Sequence, residues 1–146
     1  MISIIEKPID IGEVLDSVRD PAAGGIDLFI GSTRDRSGGK KVISLVYEAY
    51  IPMAVAWMER IAGEASARWD IVKISIVHRV GTVGIGEASV VIAVSAIHRS
   101  DAFEVCRFLI DNLKREVPIW KKEYFEDGEV WVGLEGNRPA GSDSVK

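Results

Sequence analysis

The sequence predicts an α+β domain: a mixed, mainly antiparallel sheet with packed helices, forming one unit over residues 1–134, followed by a polar tail over 135–146. Three observations predict it. Strand-like and helix-like stretches follow the order β-α-β-β-α-β-β-α-β-β, and adjacent strands without an intervening helix rule out a purely parallel sheet. The run "ASVVIAVSAI", Ala88 to Ile97, is continuously apolar and rich in β-branched residues, as a central strand covered on both faces should be. No linker, repeat or low-complexity segment divides the 146 residues, which suffice for one hydrophobic core.

The elements follow in order. "ISII" at the start is a short strand. Asp10 can cap a helix in which Ile11, Val14, Leu15 and Val18 share one face, and "PAAGG" ends it. "IDLFIG" is an apolar strand, "STRDRSGGKK" a polar glycine-bearing loop, and "VISLVYEAY" a strand rich in β-formers. From Pro52 to about Arg68 the spacing of Met53, Trp57 and Ile61 predicts a helix with those side chains inward. "IVKISIVHRV" alternates as a strand and "GTVGIGE" is a turn. After the central strand, Ser100 can cap a helix that buries Phe103, Cys106, Leu109, Ile110 and Leu113. Pro118 ends that helix, because the residue before a proline is pushed out of helical geometry. "IWKKEYF", the turn "EDG" and "VWVGL" close the domain as a hairpin.

Composition narrows the function classes. A hydrophobic fraction of 47% and a charged fraction of 27% are those of an ordinary soluble globule, so a cytoplasmic protein is expected. No run is long and apolar enough to span a bilayer, and the N-terminus meets Glu6 without a basic region, unlike a signal peptide. One cysteine, Cys106, excludes a disulfide framework, and two histidines are too few for a His-rich metal site. Neither a metal nor a bound cofactor is expected. The net charge of −4 argues against a general nucleic-acid binder, so any anion binding must be local.

Local basic clusters exist. In "LKREVPIWKKEYF", Lys114, Arg115, Lys121 and Lys122 gather around Pro118 and Trp120, and the chain reversal at the proline can bring both basic segments to one end of the sheet. At ~100° per residue, Lys114 lies about 40° from Ile110, bordering the apolar stripe. There it either snorkels or is partly desolvated, which would suit it to proton transfer. "GSTRDRSGGKK" offers Ser32, Thr33, Arg34, Arg36 and glycine N–H groups to an anion, or is simply a solvated hairpin. "AIHRSDAF" sets His98 and Arg99 at a helix N-terminus, either as anion ligands or as a capping region. His78 and Arg79 read as structural, and Cys106 as core. "VGTVGIGE" and "RSGGKK" lack the spacing of a nucleotide fingerprint, and both lead into strands.

"YEAYIPMA", "HRVG…GE", "AIHRSDAF" and above all "LKREVPIWKKE" resemble the large, catalytic subunit family of molybdopterin synthase, in the family's order and from about "GIDLFIGSTRD" through "VWVGL". The resemblance implies an α/β hammerhead fold and a sulfurtransferase of molybdenum cofactor biosynthesis. Such an enzyme converts cyclic pyranopterin monophosphate into molybdopterin by forming its dithiolene. The sulfur would come from the C-terminal Gly-Gly thiocarboxylate of a small ubiquitin-like partner subunit. A central homodimer carrying one partner at each end, a heterotetramer, is implied, and no metal is needed.

Residue by residue, the resemblance assigns Ser32, Thr33, Arg34, His98, Arg99, Lys114, Lys121, Lys122 and Glu123 to substrate binding. Lys114 would be the general acid/base, with Lys121 also catalytic. Arg34, His98, Arg99 and Lys121 would hold phosphate and stabilise developing negative charge. After Arg34 the chain reads "DRSGG", a departure from the family's pattern. Two other readings use the same residues: a non-catalytic dimeric module binding an anionic metabolite, and a phosphate-ester hydrolase with His98 as base.

Overall fold

The structure, a computed structural model, describes residues 1–134; the expected polar tail over 135–146 lies outside the described residues. The chain runs β1 (Ile2–Ile5), α1 (Ile11–Ser17), β2 (Gly25–Ser32), β3 (Arg36–Ser37), β4 (Lys40–Ala49), α2 (Ile51–Arg68), β5 (Ile71–Arg79), β6 (Gly81–Gly84), β7 (Ala88–Ala96), α3 (Arg99–Glu116), β8 (Ile119–Phe125) and β9 (Val130–Leu134). The α+β class holds, but the strands divide into two sheets: β1-β5-β7-β2, and β3-β4-β8-β9 with β6 also paired to β4. Only β1–β5 is parallel among these pairings.

Two strands were not expected. The loop "STRDRSGGKK" contains β3, which pairs with the start of β4 across Gly38 and Gly39. Both glycines have positive φ, 60° and 78°, the requirement of a tight two-residue hairpin turn. "GTVGIGE", expected as a turn, begins with β6. Val83 is fully buried opposite Leu45, and that burial draws the segment into the sheet.

The central strand is β7, flanked by β5 and β2. Val90, Ile92 and Val94 face the main core, while Val91 and Ala93 join a smaller cluster with Val14, Val18 and Val77. Asp10 caps α1 by accepting from the Glu13 N–H at 3.0 Å, as the sequence suggests. Ile61 on α2 and Cys106, Leu109 and Leu113 on α3 are buried as expected, with Trp57 and Ile110 packed partly on the core, but two expected inward residues are not. On α2 the buried residues are Ala54, Met58, Ile61, Ala62 and Ala65, and Met53 is 49% exposed. Trp57 packs partly on the core with the Arg60 guanidinium over its ring. On α3, Ala102, Val105, Cys106, Leu109, Asn112 and Leu113 are buried, whereas Phe103 is 58% exposed. The N-cap of α3 is His98 rather than Ser100, and its side chain makes no capping bond. Pro118 lies just past the helix end, as expected.

The connection from β7 to α3 is two residues long, so α3 turns straight back over β7 and β2. Its start is pressed against the start of β2. A Cβ on Gly24 would lie 2.2 Å from the Ile97 carbonyl oxygen, and one on Gly25 3.0 Å from Arg99 Cα. From that fixed point α3 and β2 run in the same direction, with Asp27 to Phe29 beside Phe103 to Asp111. Arg99 to Lys114 spans about 22 Å of helix, and Gly25 to Ser32 about 23 Å of strand. Lys114 therefore comes to the Ser32 end of the molecule.

The close approach at Gly24 involves backbone, which cannot swing aside. Gly24→Ala should cost about 1–3 kcal/mol, as overpacking does. Gly63, exposed within α2, has nothing within 4 Å of a Cβ; Gly63→Ala should stabilise by up to about 1 kcal/mol through helix propensity. Urea unfolding of the two variants should move the midpoint in opposite directions.

Candidate active site

At the Ser32 end the chain leaves β2 through a register shift between Gly31 and Ser32. The segment is then held by backbone: the Thr33 N–H donates to the Glu87 carbonyl at 3.1 Å, and the Gly86 N–H donates to the Thr33 carbonyl at 2.9 Å. The Ser32 hydroxyl donates to the Gly86 carbonyl at 3.3 Å. The Thr33 hydroxyl is buried without a hydrogen-bond partner, while Arg34 is exposed. The turn that receives this segment is itself braced. Glu87 accepts from the Gly84 N–H at 2.7 Å and from Arg79 at 3.1 Å, and these bonds hold its carboxyl below the usual range.

A second tie joins this region to β8. The Ser37 hydroxyl donates to Glu123 Oε2 at 3.2 Å, both residues being buried. Glu123 and Lys121 share the inner face of β8, because side chains alternate along a strand. Lys122 falls on the opposite, outer face, 2.9 Å from Glu48, and that bond raises its pKa. Strand alternation thus sends these two lysines, adjacent in sequence, to opposite faces of β8. Lys114 is exposed near the end of α3, so the expected partial burial at the apolar border is not met within this chain. The helix's inward stripe runs through Leu109 and Leu113, with Ile110 at its edge.

His98 and Arg99 sit elsewhere. They are exposed and line a shallow depression with Gly24, Ile97 and Ser100 at the N-terminus of α3. One chain therefore gathers Ser32 to Arg34, Lys114, Lys121 and Glu123 at one end. It leaves His98 and Arg99 about 22 Å away along α3.

Sequence reasoning missed Ser37, whose part depends on a hairpin pairing that only the fold reveals. It also passed over Tyr47, which lies directly opposite Lys121 on β4. His78 and Arg79, read as structural, are buried; His78 Nδ1 is 2.8 Å from the Arg79 carbonyl, and its ring meets Tyr47 edge-on at 5.2 Å. Cys106 is in the core, and burial, with Asp27 beside it, pushes its thiol up to about 12. Among the described residues, no three His, Cys, Asp or Glu side chains are placed to hold a metal ion, and no helix is long and apolar enough to cross a membrane.

The family profile for the MoaE protein matches residues 4–116. A molybdopterin synthase catalytic subunit of Arabidopsis thaliana is 49% identical over 133 residues, 90% of this chain and 67% of that protein. The chain thus spans about two thirds of the plant relative's length. The protein of the same name in Pyrococcus abyssi is 44% identical, over 94% of this chain and 93% of its own. The crystal structure of molybdopterin synthase from Staphylococcus aureus superposes with a TM-score of 0.85 at 36% identity, covering 90% of this chain and 95% of that one.

The Cys106 environment has two measurable consequences. The thiol should resist alkylation near neutral pH until the protein is unfolded, because the thiolate is the reactive form. Its folded value near 12 exceeds the ordinary 9.0. Its contribution to stability is therefore complete below pH 9 and is lost as pH rises towards 12. Cys106→Ala should remove that part of the alkaline loss, as read by urea unfolding across the range.

Proposed function

The chain belongs to the MoaE protein family, and from that premise we propose that it is the catalytic subunit of a cytoplasmic molybdopterin synthase. It transfers sulfur from the C-terminal thiocarboxylate of a small ubiquitin-like partner to cyclic pyranopterin monophosphate. What carries the reading is the family match joined to the placement of Arg34, Lys114 and Lys121 at one end of a chain whose net charge is −4. Both reactants are anions, and a local cationic end on an acidic protein is the field that would collect them.

The chemistry divides among these residues. Each sulfur delivered leaves a carboxylate where a thiocarboxylate stood, so water enters the reaction and proton transfers accompany it. Lys114 is the acid/base group. It is exposed here, so the desolvation that suits its amine to that work has to come from the partner's tail and the pterin. Lys121 is half-buried on the inner face of β8 and serves as a fixed donor for charge that develops during the reaction. Arg34 provides a planar fork for phosphate, and Ser32 and Thr33 line its approach. The buried carboxylate of Glu123, tied to Ser37, holds β8 to the β3–β4 hairpin. Lys122 lies on the outer face, where Glu48 largely offsets its charge, so it has no direct part in the reaction.

His98 and Arg99 join the same reaction if two copies associate. β2 is an edge strand with Ile26 38% and Ile30 41% exposed, and Phe103 is exposed on α3 beside it. Antiparallel association along this edge would bring His98 and Arg99 of one copy to the Lys114 end of the other. It would also cover the apolar side chains between them. This supports a central homodimer, with one partner at each end in a heterotetramer.

Purified protein, mixed with thiocarboxylated partner and cyclic precursor, should yield the dithiolene product by mass; an equal rate from free sulfide would contradict the partner's role. Lys114→Ala should lose ~10²–10⁴-fold in single-turnover rate with an unchanged melting curve. Lys114→Arg should fail as well, since a guanidinium stays protonated. Full activity in the arginine variant would show that the site needs only charge there.

A further inference from the structure

One inner-face row crosses the second sheet. Tyr47 on β4 is paired with Gly81 of β6 on one side and with Lys121 of β8 on the other, and Lys121 is paired in turn with Gly133 of β9. Directly opposed side chains share a face, with Cβ atoms about 5 Å apart. The two ends of the row are glycines, so Tyr47 and Lys121 are its only side chains.

Both flanks of Lys121 are aromatic. On one flank stands Tyr47, buried, with the fully buried His78 ring packed edge-on against it at 5.2 Å and 70°. His78 is itself fixed by the contact of its Nδ1 with the Arg79 carbonyl at 2.8 Å. On the other flank lies Trp131, which is paired with Glu123 and therefore occupies the same inner face. A Cβ on Gly133 would fall 2.4 Å from Trp131 Cη2 and 2.7 Å from Cζ2. The indole thus lies over Gly133 in the space beside Lys121, and only glycine leaves room for it there.

We propose that Tyr47, backed by His78, and Trp131, laid over Gly133, clamp the stem of Lys121 and so act as positioning residues for sulfur transfer. The proposal rests on the function proposed above. A lysine stem has four rotatable bonds, and an unrestrained amine samples a wide volume. A donor that stabilises developing charge acts through being held in place beforehand, and about 1 Å of misplacement costs up to about a hundredfold in rate. Two aromatic walls restrict the stem and exclude water from its sides.

The test uses the complete complex with thiocarboxylated partner and cyclic precursor. Gly133→Ala, Trp131→Leu and Tyr47→Leu should each lower kcat by about tenfold to a hundredfold with the KM for the precursor unchanged. Tyr124→Leu, on the outer face of β8, should match wild type. A merely structural role would lower the melting temperature without that split. A second readout does not depend on turnover. Reductive ¹³C-methylation of the lysines, with Lys121 assigned by its loss in Lys121→Arg, should give a resonance displaced by ring currents. The displacement should shrink in Trp131→Leu and in Gly133→Ala. A wild-type Lys121 resonance at the position of an exposed lysine would overturn the clamp, as would wild-type kcat in both β9 variants. Absence of product from the wild-type complex would overturn the functional reading instead, and the resonance would still decide the clamp.

Discussion

The architecture depends on one constraint: β7 is apolar on both faces and must be covered on both. Val91 and Ala93 are covered from the side of α1, and Val90, Ile92 and Val94 from the side of α2, α3 and the second sheet. A half-covered strand of this composition would leave several β-branched side chains in water, each worth about 1.5–3 kcal/mol of burial. The short β7–α3 connection then leaves α3 no course but back across the sheet, and Gly24 and Gly25 set how closely it begins. The direction of α3 follows, and with it the end of the molecule at which Lys114 emerges.

That direction decides what one chain can and cannot assemble. Lys114, Lys121 and the Ser32–Arg34 segment are brought together by three separate elements returning to one end. His98 and Arg99 stand at the other end of the same helix, too far away for a small substrate to bridge. Strand alternation makes a further division within two adjacent lysines, sending Lys121 to the inner face and Lys122 to an ion pair with Glu48. On the proposed reading, a site using both ends of α3 is shared between two copies, and the exposed apolar edge of β2 is where they would meet.

Most element positions were legible in the sequence, because each had a local cause. Asp10 capped, Pro118 terminated, and the β-branched run of β7 was central as expected. What was not legible depended on pairing between distant segments. β6 forms because Val83 finds Leu45, and β3 because Gly38 and Gly39 permit a tight turn; neither segment is long enough to announce itself by periodicity. Met53 on α2 and Phe103 on α3 were misplaced for a related reason. Alanines at positions 54, 62, 65 and 102 allow close packing, so small residues face inward while Met53 and Phe103 remain outside. For the site, residue types and their order pointed to the cationic end. The buried Ser37–Glu123 bond, the pairing of Tyr47 with Lys121 and the exposure of Lys114 required three dimensions.

The central claim is that the two basic clusters work together only across a pair of copies. Complementation between two variants tests this most directly. Arg99→Ala and Lys114→Ala, each slowed when alone, would be mixed under conditions that exchange subunits, and dithiolene formation measured with the thiocarboxylated partner. The account predicts recovered activity, because a mixed pair contains one site with both Lys114 and Arg99 intact and one with neither. No recovery in verified mixed pairs would contradict it, since a site built within a single chain would carry one defect in every copy.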